Sequence, residues 1–242
     1  MKKILAFILA LLIPAAASAA TLKEDVGPWR YETNVETVVF GRYDQDNNEE
    51  NGPEPIRWMI LAEKDGKRLM IAKDLLEQKR YNQTYGPITW AECTLRTWLN
   101  DEFLKTAFTE EEQAAILLTD VDNSDEQGNP QYRNTTSGED TQDRIFLLSY
   151  KEAMTYFPDT PSKRSAPTDH AAANGVRVDR AYKVDGRGCG MWWLRSAGPH
   201  QWRASMAYAP GTMRYTFATR DFVGVRPVMW VDISKLPEST EE

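Results

Sequence analysis

Histidine, cysteine and long apolar runs are all scarce in this chain of 242 residues. Two histidines, His170 and His200, and two cysteines, Cys93 and Cys189, are all it has. An ordinary structural zinc site takes four such ligands, usually closely spaced, and nothing here offers them. No Gly-x-Ser-x-Gly elbow occurs, so a serine hydrolase of that kind has no support. Positive charge is short as well: 29 Lys and Arg face 36 Asp and Glu, a formal net charge of -7. Binding to phosphate chains draws on clustered basic residues, so the balance speaks against nucleic acid and anionic lipid.

The long apolar run is the Ile4 to Ile13 segment, ten residues against the roughly 20 that span a bilayer. Lys2 and Lys3 precede it, and Pro14-Ala-Ala-Ala-Ser-Ala-Ala20 follows with small residues. A basic start, a short apolar core and an Ala-x-Ala exit make residues 1–19 a secretory signal peptide. The expected compartment is periplasmic or extracellular, with no membrane span after cleavage. Residues 20–35 read as an N-terminal arm, 36–233 as one globular domain, and 234–242 as a disordered acidic tail. Eight Trp, ten Tyr and eight Phe can fill a sizeable core.

Thr37 to Tyr43 reads as a strand, being β-branched and aromatic. Ile56 to Leu61 and Arg68 to Ala72 make a hairpin on the Asp65-Gly66 turn. Thr89 is expected to cap a helix carrying Trp90, Cys93, Leu95, Trp98 and Leu99. Thr109 with Glu112, and Ser149 with Glu152, have the spacing of capping boxes. Ile116 to Val121 and Arg144 to Leu148 read as strands. The polar stretch from Asp122 to Gln142 between them is long enough to be functional or mobile. Thr168 caps a short helix that Gly175 ends. Val176 to Gly188 reads as a connection, and Met191 to Leu194, Ser205 to Ala209, Met213 to Thr219 and Val225 to Val231 as closing strands. Strands at both ends with helices between them imply an α+β fold. In an oxidising compartment Cys93 and Cys189 are disulfide candidates, worth about 4 kcal/mol by loop entropy. Two buried free thiols are the alternative.

Phe40-Gly-x-Tyr, Pro55-Ile-x-Trp-x-Ile-Leu, Leu95-Arg-x-Trp-Leu-Asn, Ile145-Phe-Leu-Leu-Ser, Trp192-Trp-Leu-Arg-Ser and Gly224-Val-Arg-Pro occur in that order. This series resembles a domain of unknown function from exported and surface proteins of bacteria, over about residues 36 to 233. The tryptophan-rich strand followed by Gly-Val-Arg is also similar, more distantly, to formylglycine-generating sulfatase-modifying domains. That likeness implies a C-type-lectin-like mixed sheet with a few short helices and long loops. It does not carry the activity, because those enzymes bind copper through a close cysteine pair, absent here.

Arg195 and Arg226 sit among large apolar residues, where an unpaired guanidinium is costly. Each is expected either to lock the sheet on a carboxylate or carbonyls, with Asp143, Asp221 and Asp232 as partners, or to bind an anionic or sugar ligand. Trp192 and Trp193 alternate along a strand, so one should face the core and the other the surface. Trp58, Trp98 and Arg226 are expected to be structural with them. His170 reads as a surface or capping residue. The residues for ligand binding are Trp202, His200, Arg195 and Tyr208. Asp44, Asp46, Asn48, Asp120 and Asp122 alternate oxygen ligands, but neither run has the glycine and glutamate of an EF-hand, which leaves calcium only an irregular loop site. No other cofactor is expected. The expected function is a non-catalytic module of the cell envelope recognising a glycan, peptide or surface protein. A carboxylate-dependent hydrolase and an assembly protein are the alternatives.

Overall fold

A computed structural model of the chain describes residues 30–31 and 37–236. The residues expected to form the signal peptide, most of the expected arm and most of the expected tail lie outside the described residues. In chain order the first strands are β1 (Arg30–Tyr31), β2 (Thr37–Tyr43), β3 (Glu54–Lys64), β4 (Lys67–Ala72) and β5 (Glu77–Gln78). Helices α1 (Thr94–Trp98), α2 (Leu104–Ala107) and α3 (Glu110–Ala115) follow. Strands β6 (Thr119–Val121) and β7 (Thr141–Asp143) bracket the long polar loop, and α4 (Tyr150–Tyr156) and α5 (Asp169–Ala173) come next. The last third is β: β8 (Asp179–Val184), β9 (Arg187–Cys189), β10 (Trp192–Ala197), β11 (Arg203–Ala207), β12 (Met213–Phe217), β13 (Gly224–Val225) and β14 (Val228–Asp232).

Two sheets carry the core. One is four-stranded and antiparallel in the order β14-β4-β3-β2; the other is mixed, in the order β12-β11-β10-β13-β5. The α+β reading holds. The chain passes between the sheets twice, from β4 to β5 and from β13 to β14. The Gly-Val-Arg-Pro motif is the second crossing, and Arg226 lies at the seam. Its Nε donates to the Ala72 carbonyl at 2.8 Å, and its guanidinium stands 5.1 Å from the Trp192 and Phe157 rings. Burial pulls its pKa down to about 10. The expected carboxylate partners serve elsewhere: Asp143 holds Arg96 at 2.6 Å, Asp221 holds Arg80 at 3.0 Å, and Asp232 caps the Ile233–Lys235 turn. Arg226 is therefore held by carbonyls and ring faces, with Asp74 as the carboxylate that acts on its charge and Nη1 buried without a hydrogen-bond partner, an arrangement that sequence spacing does not reveal.

Local chemistry explains several elements. The Asp65-Gly66 turn has φ of 51° and 71°, the left-handed pair a tight hairpin needs. Both capping boxes are closed, with Thr109 and Ser149 each accepting from the backbone N–H three residues on. The helix assigned to Thr89 instead begins at Thr94, where the Cys93 sulfur accepts from Arg96 N–H. Residues 144–148 are not a strand; Phe146 makes an isolated bridge to Val228, and the Arg144 and Ile145 N–H groups donate to the Asn100 side chain. Val176 to Gly188 is not a bare connection, since β8 and β9 pair within it. Both Trp192 and Trp193 are buried, because β10 lies inside its sheet and both faces are covered. Trp58 is buried too and donates to the Phe40 carbonyl at 2.7 Å. Trp98 is half-buried against Phe103. No helix among the described residues is long and apolar enough to cross a membrane.

The disulfide expectation is corrected. Cys93 and Cys189 are both free and buried, the first in the main core and the second in a separate small cluster with Ala166, Val184 and Ala209. Burial pushes the thiols up, to about 12 for Cys93 and about 11 for Cys189. A thiol raised this far stays protonated and unreactive near neutral pH. The native protein should therefore react negligibly with dithionitrobenzoate at about pH 8. Two thiols should appear on unfolding in guanidinium without reductant; none appearing would restore the disulfide.

Candidate functional site

The aromatic residues that the two sheets leave outside the core gather on one edge. Strand β12 ends the mixed sheet and pairs with β11 in a register that sets Phe217 opposite Arg203 and Tyr215 opposite Ser205. Residues two apart on a strand share a face, so Met213, Tyr215 and Phe217 line up together. The Arg203 guanidinium lies 4.6 Å from the Phe217 ring centre and 5.2 Å from that of Tyr215. Tyr85, from the loop after β5, leans on Phe217 at 6.2 Å and on Trp202 at 6.5 Å. His200 stacks on Trp202 at 4.9 Å with the planes 1° apart. Tyr132 closes the far end, edge-on to Tyr215 at 5.7 Å.

The strip is thus built from three distant segments, around residues 85, 132 and 200–217. Gln201 ties them: its Nε2 donates to Ile88 and Thr136 carbonyls at 2.9 and 2.8 Å, and its Oε1 accepts from Thr136 N–H. Its own carbonyl accepts from Ile88 N–H. Tyr85 is 68% exposed and Tyr215 39%, while Trp202, Phe217 and Tyr132 are half-buried, so the strip is open along part of its surface. Scattered exposed hydrophobics need no explanation, but a contiguous aromatic patch does. Such a surface can stack the flat face of a ligand.

Of the residues expected to bind, His200 and Trp202 meet on this strip and two do not. Tyr208 is half-buried at the other end of β11, in the turn where its N–H donates to Thr212. Arg195 is 1% exposed beneath the surface. Its Nη2 donates to the Asp122 carbonyl and Glu152, its Nη1 to the Leu147 carbonyl and Glu152, and its Nε to Asn123. It fastens the long loop to α4 and β10. That loop is anchored, with Asn123 and Ser137 buried and the Thr135 hydroxyl donating to the Gly198 carbonyl at 2.8 Å. Tyr85 was not legible from its surroundings. Its signal lies in charge: residues 79–91, 131–138 and 191–220 contain no Asp or Glu in a chain that is acidic overall.

A second cluster joins β2, β5 and α5. Glu77, 5% exposed, accepts from Tyr43 hydroxyl at 2.9 Å and Asn174 Nδ2 at 3.1 Å. His170 stands between it and Asp44, at 3.2 and 3.3 Å. Burial and the neighbouring Glu77 carboxylate hold the Tyr43 hydroxyl far above its ordinary range, so it donates and does not ionise. His170 is thus a bridge between elements, more enclosed than a surface histidine. Asp44, Asp46 and Glu54 bring carboxylate oxygens within 4.8 Å of one another. Glu54 already accepts from Gln45 and Asp46 N–H, and Asp44 from Asn47 N–H, so turn geometry accounts for the grouping. Asp120 accepts from Gln142, and Asp122 from Ser124 N–H and Gln127, in the other loop.

Residues 65–233 match the model of a family described as Domain of unknown function (DUF6273). The chain belongs to that family. The family match contains every residue of the aromatic strip, both buried arginines and both cysteines. Strands β2 and β3 both precede it, although they complete the four-stranded sheet. No curated protein and no solved structure matches the chain.

Proposed function

We propose that the protein is an exported, non-catalytic module of the cell envelope that holds a glycan on the Tyr85–Trp202–Phe217 strip. The observation that carries this reading is the open row of rings supplied by three segments and stapled by Gln201. An aromatic face carries partial negative charge, which suits the weakly positive C–H groups on the flat side of a sugar. A largely preformed platform also loses little entropy on binding. The signal peptide supports export. The two curled sheets, short helices and long loops are compatible with a C-type-lectin-like frame, which we propose as the architecture.

The test is affinity electrophoresis through gels containing single polysaccharides. Retardation of the wild-type protein in at least one gel is expected, and Trp202→Ala should weaken it about 30-fold, the scale of a central aromatic anchor. Tyr85→Ala should act in the same direction. Tyr85 is exposed, so the melting temperature of Tyr85→Ala should stay close to wild type, and circular dichroism checks the fold of Trp202→Ala, whose ring is half-buried. Unchanged retardation in both variants would sink the strip as the binding surface.

A further inference from the structure

The strip carries charge of one sign, and that bears on what it holds. Arg203 and Arg220 stand over the rings, Arg214 lies between Met213 and Tyr215 on β12, and Arg133 follows Tyr132 in sequence. Arg203 lies between Tyr215 and Phe217, and its Nε is buried without a hydrogen-bond partner. Arg220 lies over Phe217 at 5.4 Å and Phe222 at 6.0 Å. Among the described residues none of Arg133, Arg203, Arg214 and Arg220 makes an ion pair. The nearest acid in sequence, Asp221, is held by Arg80 at 3.0 Å. Other arginines lie against carboxylates, as Arg96 on Asp143 and Arg187 on Asp74, whereas the segments that build the strip contain no Asp or Glu of their own. Arg203 and Arg220 over the rings, with Arg133 and Arg214 in the same acid-free segments, form a local field opposite to that of a molecule of net charge -7.

Resting on the glycan reading above, we propose that the ligand of this strip is an acidic, carboxylate-bearing polysaccharide. Sugar rings would lie on Trp202, Tyr85 and Phe217 while the planar guanidinium groups of Arg203 and Arg220, which stand over those rings, take carboxylates by two-pronged hydrogen bonds. Ring contact orients each guanidinium before the ligand arrives, which reduces the entropy lost on binding. A single-stranded nucleic acid would also value rings and arginines. Residues 191–220 hold four arginines and no lysine, short of the clustered basic residues that a phosphate chain draws on, and this favours the glycan.

The experiment compares polygalacturonate, neutral dextran and oligothymidylate as probes of the full-length secreted protein. Retardation by polygalacturonate is expected, falling steeply as NaCl is raised to about 0.5 M, where the Debye length is only a few ångströms. Arg220→Glu should weaken it several-fold by placing a like charge against the ligand. Arg220→Lys should recover part of the loss. Arg220 is exposed, so folding should be unaffected, and circular dichroism checks it. Dextran bound as tightly as polygalacturonate, with no response to charge reversal, would overturn the acidic ligand and leave the strip reading standing. Preference for oligothymidylate would overturn both, as would retardation by none of the three.

Discussion

Replacing Arg195 by methionine should lower the free energy of unfolding by about 3 kcal/mol, the lower end for breaking a buried ion pair. The lower end applies because Glu152 keeps 29% of its side-chain exposure and can be partly rehydrated. The five N–H groups of the Arg195 guanidinium are matched by five acceptor contacts: Asn123, the Leu147 and Asp122 carbonyls, and two to Glu152. Methionine fills the space but leaves two buried carbonyls without donors. Arg195→Lys should recover less than half, since an ammonium has three donors and no planar fork. Denaturant titration of the two variants and of a double variant with Glu152→Leu reads the coupling. If the double variant loses the sum of the single losses, the pair is not the lock described here. The same change should raise amide exchange across residues 122–138, because Arg195 fastens the head of the loop that brings Tyr132 and Thr136 to the strip.

Arg195 also shows where sequence reasoning stops. Its burial could be inferred from the apolar residues around it, and its need for partners from the cost of an unpaired charge. Which partners it finds could not, because Glu152, Asn123 and Asp122 come from elements brought close only by the fold. Ser149 and Glu152 were legible as a capping box because that interaction closes within three residues; Glu152's second role on Arg195 spans 43. The hairpin at Asp65-Gly66 and the cap at Thr168 were readable for the same local reason. Cys93 and Cys189 illustrate the opposite case, since compartment and even number say nothing about which cluster each thiol enters. The strip was half legible. Trp202 and His200 stand out on their loop, but Tyr85 reaches them from more than a hundred residues away, and period-two aromatics on β12 look the same whether they face core or solvent. The absence of acids across the three contributing segments is the sequence feature that sets this surface apart.

Gly211 is expected to be the most sensitive glycine. It sits in the turn between β11 and β12 with φ of +96°, and its N–H donates to the Tyr208 carbonyl. A methyl group built there would lie 1.8 Å from the Thr160 carbonyl oxygen, a backbone atom that cannot swing aside. Gly66 has φ of +71° but open space around its missing side chain. Gly66→Ala should therefore cost only the left-handed backbone penalty, about 1–2 kcal/mol. Gly211→Ala adds a collision to the backbone strain and should cost at least about 3 kcal/mol, through displacement of the turn from the 158–163 loop. The difference between the two variants in thermal and denaturant unfolding isolates the steric part. Equal losses would mean that the Thr160 loop gives way freely. The expected inequality fixes the far end of the β11–β12 hairpin, and with it the register that holds Arg203 against Phe217 in the strip.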